Sequence, residues 1–137
     1  HKISKALNSD DIAEPNFFGV QGAIAAFTKG AAWLDALREY LSENRKFATE
    51  FIARELPQVR VVPQDATYLM WFDAGAYTQD SAELVRFIRE KTGLYLSCGA
   101  QYGKGGERFL RLNIATSRAL LKDGLGRLKE ALKICPH

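Results

Sequence analysis

The sequence predicts an α/β chain, a two-layer sandwich of the α+β kind, on three observations. Hydrophobic residues make up 47% of the 137 residues and charged residues 26%, the balance of an ordinary globular domain. Apolar residues recur at helical spacing in separate stretches, and short runs rich in valine, aromatic and aliphatic residues lie between them. Their order, helix, two strands, helix, strand, strand, helix, lets the helices cover one face of a sheet.

Taken along the chain, residues 1–7 read as helical and residues 8–16 as a polar turn region ended by Glu14-Pro15-Asn16. Phe17 to Thr28 is Ala-rich and carries no charge, so a helix there calls for burial on nearly all sides. A chain this small has little to bury it with, which points to a partner surface: either another part of a larger protein or a second subunit. From Ala31, the residues Trp33, Leu34, Leu37, Leu41, Phe47, Phe51 and Ile52 fall near a helical period until Pro57 ends the run. About 25 residues at 1.5 Å each give a helix of roughly 37 Å, long enough to link two lobes.

Val59 to Pro63 and Tyr68 to Asp73 read as a hairpin-like pair of strands around a Gln64-Asp65-Ala66 turn. Ser81 is the expected N-cap of a helix that buries Leu84, Val85, Phe87 and Ile88 and stops at Gly93. Leu94 to Ser97 is a short strand. A glycine-rich segment, Gly99 to Glu107, leads into the strand Phe109 to Ile114. The last helix is capped near Thr116 or Ser117 and is expected to bury Leu120, Leu121, Leu125, Leu128 and Leu132.

Charge and cysteine usage exclude several function classes. The net charge is +3, with basic and acidic residues interleaved, so nucleic-acid binding gains no support. Cys98 and Cys135 lie far apart, with no second ligand at metal spacing, and two free thiols in a reducing cytosol are expected. No run of 18 apolar residues and no secretory segment occurs, so the expectation is a cytoplasmic protein without a membrane anchor. The chain opens at His1 rather than Met, as a stretch cut from a larger parent would.

Few residues can carry chemistry. The segment Gly99-Ala100-Gln101-Tyr102-Gly103-Lys104-Gly105-Gly106 fails as a phosphate loop: it leads into a strand, and neither Ser nor Thr follows Lys104. Both histidines, His1 and His137, are terminal, which leaves no internal base for a Ser or Cys nucleophile. Cys98 reads as a structural thiol, and Tyr68 and Tyr102 as core or rim aromatics, each beside a turn where its hydroxyl can reach a substrate. Arg111 is the most pointed residue. It shares a strand face with Phe109 and Asn113, and an Arg among apolar neighbours needs a partner. Two uses stay open: an internal ion pair with an Asp or Glu, which spacing alone favours, or capture of a carboxylate by the guanidinium fork.

Five blocks in order resemble the class I/II aminotransferase family of pyridoxal-phosphate (PLP) enzymes. They are Glu14-Pro15-Asn16-Phe17-Phe18-Gly19, Trp33-Leu34, Ala66-Thr67-Tyr68-Leu69-Met70-Trp71-Phe72-Asp73, Gly99 to Gly106, and Phe109-Leu110-Arg111-Leu112-Asn113-Ile114-Ala115. Within that family they look most like the cystathionine β-lyase-like branch of carbon–sulfur lyases. The resemblance implies the C-terminal small domain of a fold-type-I PLP enzyme. Residues 1–30 would be the tail of the large cofactor domain and the dimer-interface segment, and residues 31–137 the small domain itself.

The same resemblance implies that Arg111 binds the α-carboxylate of an amino-acid substrate and that Tyr68 borders the substrate pocket. It places Asn16 near the cofactor phosphate of the neighbouring subunit in a homodimer, and it makes the glycine-rich loop mobile at the pocket mouth. Neither Lys2 nor Lys5 has the context of the family's cofactor lysine, so the chain is expected to lack catalytic residues and metal, and to be inactive without the N-terminal large domain. After the strand, the run Ala115-Thr116-Ser117-Arg118 departs from the Cys-Pro-Arg-Ser frequent in the family. Carbon–sulfur β-elimination and transamination are both open on these residues. A reading from another class also fits: a free-standing interaction domain in which Arg111 is an internal ion-pair partner and the Phe17 helix a docking surface.

Overall fold

A computed structural model describes residues 16–135. The helix expected over residues 1–7 and the turn region over residues 8–15 lie outside the described residues. The chain forms two compact units, divided between Arg38 and Glu39.

The first unit contains α1 (Phe17–Lys29) and the start of α2 (Ala31–Glu55). Asn16 caps α1, its Oδ1 accepting the Gly19 N–H at 2.8 Å, and Lys29 stands in the last turn, where a cation favours the exposed carbonyls. No α1 residue is buried. Phe18 is 82% exposed and Phe27 92%, and Trp33 and Leu34 at the start of α2 are exposed as well. Nothing among the described residues covers the apolar surface that the sequence assigns to a partner.

The second unit is a four-stranded sheet with helices packed on one face. Its elements are the rest of α2, β1 (Arg60–Val61), β2 (Leu69–Asp73), α3 (Ser81–Thr92), β3 (Ser97–Cys98), a 3-10 turn (Gly99–Tyr102), β4 (Phe109–Asn113) and α4 (Arg118–Lys133). The strand order is β1-β2-β4-β3, with every neighbouring pair antiparallel. The expected hairpin-like pair is β1 with β2, joined in register Arg60 to Asp73 and Val61 to Phe72.

Strand alternation decides what faces what. Met70 and Phe72 of β2 and Leu110 and Leu112 of β4 point into the core, where they meet Ala48, Ile52, Leu84, Ile88, Leu121, Leu125, Leu128 and Leu132 from the helices. Trp71, Asp73, Phe109 and Arg111 point the other way. Helices on one face of an antiparallel sheet leave the second face for other uses.

Three expectations need correction. Asp80, not Ser81, caps α3: its carboxylate accepts the N–H groups of Ala82 and Glu83, and Ser81 is the first, fully buried residue of the helix. Leu120 is 63% exposed, because it lies about 100° round the helix from Leu121, whose stripe with Leu125, Leu128 and Leu132 is the buried one. The strand expected over Leu94 to Ser97 pairs only at Ser97 and Cys98. The α4 cap is Ser117, as expected, its Oγ accepting the Leu120 N–H, and Gly93 ends α3 with φ of 72°, a left-handed conformation suited to glycine.

Candidate functional site

The open face of the sheet carries the guanidinium of Arg111. Arg111 sits mid-strand in β4, opposite Trp71 of β2 on one side and Ser97 of β3 on the other. One Nη donates to Ser97 Oγ at 3.2 Å, and the guanidinium carbon lies 4.7 Å from the centroid of the Tyr102 ring, a cation–π distance. Trp71 meets that ring edge-on, with centroids 5.3 Å apart. Among the described residues no acid pairs with Arg111. The acid on the same sheet face, Asp73, is engaged by Arg60 and Arg108, each at 2.6 Å.

Asp73 is buried, and burial, the largest single influence on its carboxyl, pushes the pKa up. The hydrogen bonds from Arg60 and the Gly75 N–H, with the charge and hydrogen bond of Arg108, outweigh it and hold the carboxyl below its ordinary range. The ion pair that spacing alone favoured for Arg111 has no partner among the described residues.

The loop that delivers Tyr102 is braced at its base. A Cβ on Gly99 would stand 2.3 Å from the Gly106 carbonyl oxygen, and one on Gly106 would stand 2.2 Å from the Gly99 oxygen, so both ends of the loop need glycine. Ser81 joins them: its Oγ accepts the Ala100 N–H at 3.1 Å and donates to the Gly106 carbonyl at 3.3 Å. The glycines thus serve close backbone approach and a 3-10 turn that aims Tyr102 at the sheet. Beside the ring lies a hollow of about 240 Å³, lined by Val62, Trp71, Lys104, Phe109 and the loop glycines.

Tyr68 precedes β2 and is 44% exposed; its carbonyl accepts the Ile114 N–H at 2.9 Å, and no hydrogen bond or ring contact joins it to Arg111. The turn before it is held by Arg45, which donates to the carbonyls of Gln64 and Thr67, and Thr67 is held at φ of 66°. Asn16 belongs to the first unit, where it caps α1.

Residue patterns give no role at this site to four of its supports: Ser97, Trp71, Ser81 and Asn44. Asn44 is fully buried, donates to the carbonyls of Ile114 and Thr116, and accepts from Arg118 Nε, which anchors the chain just past β4. Its signal in the sequence is an Asn at i, i+4, i+8 spacing with Ala48 and Ile52 on a helix face that is otherwise apolar.

PLP needs a lysine beside an acid and an aromatic ring. The hollow lined by Lys104 has no acid in its lining, and the groove lined by Lys91, Lys122 and Asp123 has no ring. Neither of these two recesses brings the three together. Among them no cluster of His, Cys, Asp and Glu is placed to hold a metal ion, and no helix is long and apolar enough to cross a membrane. Among the described residues Cys98 and Cys135 are not joined in a disulfide.

No family model matches the chain. It is 42% identical over 131 residues to cystathionine beta-lyase PatB of Bacillus subtilis, covering 96% of this chain and 34% of that protein. It is 30% identical over the same length to protein MalY of Escherichia coli, again 34% of that protein. Among solved structures it matches the PLP-bound C-S lyase of Staphylococcus hominis complexed with the inhibitor L-cycloserine, with a TM-score of 0.84 and 31% identity over 96% of this chain and 33% of that one. The chain thus spans about a third of the length of these relatives. In sequence and in fold it corresponds to the C-terminal portion of the PLP-dependent class I/II aminotransferase family, in its cystathionine β-lyase-like branch.

Proposed function

We propose that this chain is the substrate-carboxylate-binding part of a PLP-dependent carbon–sulfur β-lyase that acts on cystathionine or a cysteine conjugate. One observation carries the proposal: Arg111 is fixed on the open sheet face by Ser97 and Tyr102, with no acid to neutralise it among the described residues. A held guanidinium with free N–H groups suits a carboxylate, which can take two parallel hydrogen bonds. Holding that group orients the substrate's Cα–H bond for reaction. The cofactor supplies the electron sink for α-proton loss, and the lysine that carries it lies outside these residues. The chemistry at Cα and at the Cβ–S bond falls to that other part of the enzyme.

On this reading, residues 31–137 are the small domain, and residues 1–30 join it to the large cofactor domain and form a homodimer contact. Tyr68 borders the substrate pocket, Asn16 approaches the partner subunit's cofactor phosphate, and the enzyme works in the cytoplasm. Transamination on the same scaffold would use Arg111 in the same way. The free-standing interaction domain would need an acid paired with Arg111, and none is found among the described residues.

The test is Arg111→Ala in the protein encoded by the complete reading frame. KM for an S-substituted cysteine should rise on the order of a hundredfold, the scale of a lost charged bidentate contact, with cofactor absorbance unchanged. An unchanged KM would remove the assignment. Pyruvate and ammonia as products, rather than a transferred amino group, separate the lyase from the transaminase.

A further inference from the structure

We propose that Tyr102 is a positioning residue for the Arg111 guanidinium, so that the glycine loop sets the affinity for the substrate carboxylate; this rests on the carboxylate reading of Arg111. A long Arg side chain has many rotamers, and a carboxylate bound by a wandering fork has to order it first. Here three contacts remove that freedom before any ligand arrives. The guanidinium carbon stands over the Tyr102 ring, 4.7 Å from its centroid, Trp71 braces the ring edge-on at 5.3 Å, and Ser97 Oγ takes one N–H at 3.2 Å.

The ring does not float. Tyr102 closes the 3-10 turn, and the turn is pinned by Ser81 and by the backbone contact of Gly99 with Gly106. Tyr102 is half exposed, so its ring has no part in the core, and core packing does not account for its placement. Among the described residues the guanidinium gives a hydrogen bond only to Ser97, so its other N–H donors are left to a carboxylate. The hydroxyl has no role in this arrangement, and phenylalanine should serve as well as tyrosine.

The experiment measures steady-state kinetics on the enzyme encoded by the complete reading frame, with an S-substituted cysteine as substrate. Tyr102→Leu should raise KM about tenfold while kcat stays within about twofold, and Tyr102→Phe should restore KM to within about twofold of the parent. In an Arg111→Ala background, Tyr102→Leu should add nothing, because its whole effect passes through the guanidinium. Trp71→Leu, which removes the brace and leaves the ring, gives an independent arm with an expected rise of about threefold.

If Arg111→Ala raises KM and Tyr102→Leu does not, the positioning role is wrong and the carboxylate site stands. An equal loss from Tyr102→Leu in both backgrounds would mean that the ring touches substrate directly, which also overturns the proposal. Should Arg111→Ala itself leave KM unmoved, the carboxylate reading is what fails, and this inference fails with it.

Discussion

Two arginine clusters share the open face of one small sheet, and they are built in opposite ways. At the β1 end of the sheet, Asp73 sits between Arg60 and Arg108, a buried carboxylate with two guanidinium partners and the Gly75 N–H. Toward the other edge, Arg111 is held by a hydroxyl and an aromatic ring, and no described acid reaches it. In the first cluster each guanidinium has the Asp73 carboxylate as its partner, which ties β1, β2 and the start of β4 together. The second is held in place but not neutralised, which makes it ready for an anion from outside. An acid-paired arginine and one without an acid look alike in sequence; the difference lies in whether the neighbouring acid is already taken.

The sharpest way to break this contrast is at the loop that makes the second cluster rigid. Gly99→Ala would drive a methyl group into the Gly106 carbonyl, and urea unfolding should show a loss of about 3 kcal/mol, the scale of a backbone clash that cannot relax cheaply. A loss near zero would mean that the loop is not braced as described. Next in size is Asp73→Ala, with an expected loss of about 2 kcal/mol, since it leaves the Gly75 N–H without its partner while both arginines can still reach water. Arg111→Ala should cost less, about 1 kcal/mol, because one hydrogen bond and one cation–π contact are lost and no ion pair is found among the described residues. Equal losses from the two substitutions would erase the distinction.

The smallest effect is in pH. Because folding lowers the Asp73 pKa from 3.8, its contribution is complete above that value and is lost as pH falls through the folded value. An acid titration of the Asp73→Asn variant should therefore be flatter than the parent below about pH 4 and parallel to it above. Curves that diverge near neutrality would point to another group.

Periodicity revealed most of the elements, because burial on one side imposes it. The stripe Leu121, Leu125, Leu128 and Leu132 is legible; Leu120 is not separable from it, because adjacent leucines do not say which of them faces inward. Ser81 has the side chain of a good cap. Its neighbour Asp80 caps instead, and Ser81 is buried against the loop base some twenty residues on, a contact with no local trace. Arg111 stood out in its strand, and its free state did not. That depended on Asp73, 38 positions earlier, being occupied by Arg60 and Arg108.

By itself the amino-acid order determined the helices and strands, the inward set of apolar residues, the position of Arg111 mid-strand and the family resemblance, since all of these are written in local pattern and spacing. The tertiary structure decided which charges neutralise one another, which ring covers the guanidinium, and why the loop needs glycine at Gly99 and Gly106 rather than a phosphate to bind. Those outcomes depend on distances of a few ångströms between residues far apart in the chain, where Coulomb attraction, stacking and backbone contact act and sequence spacing carries no information.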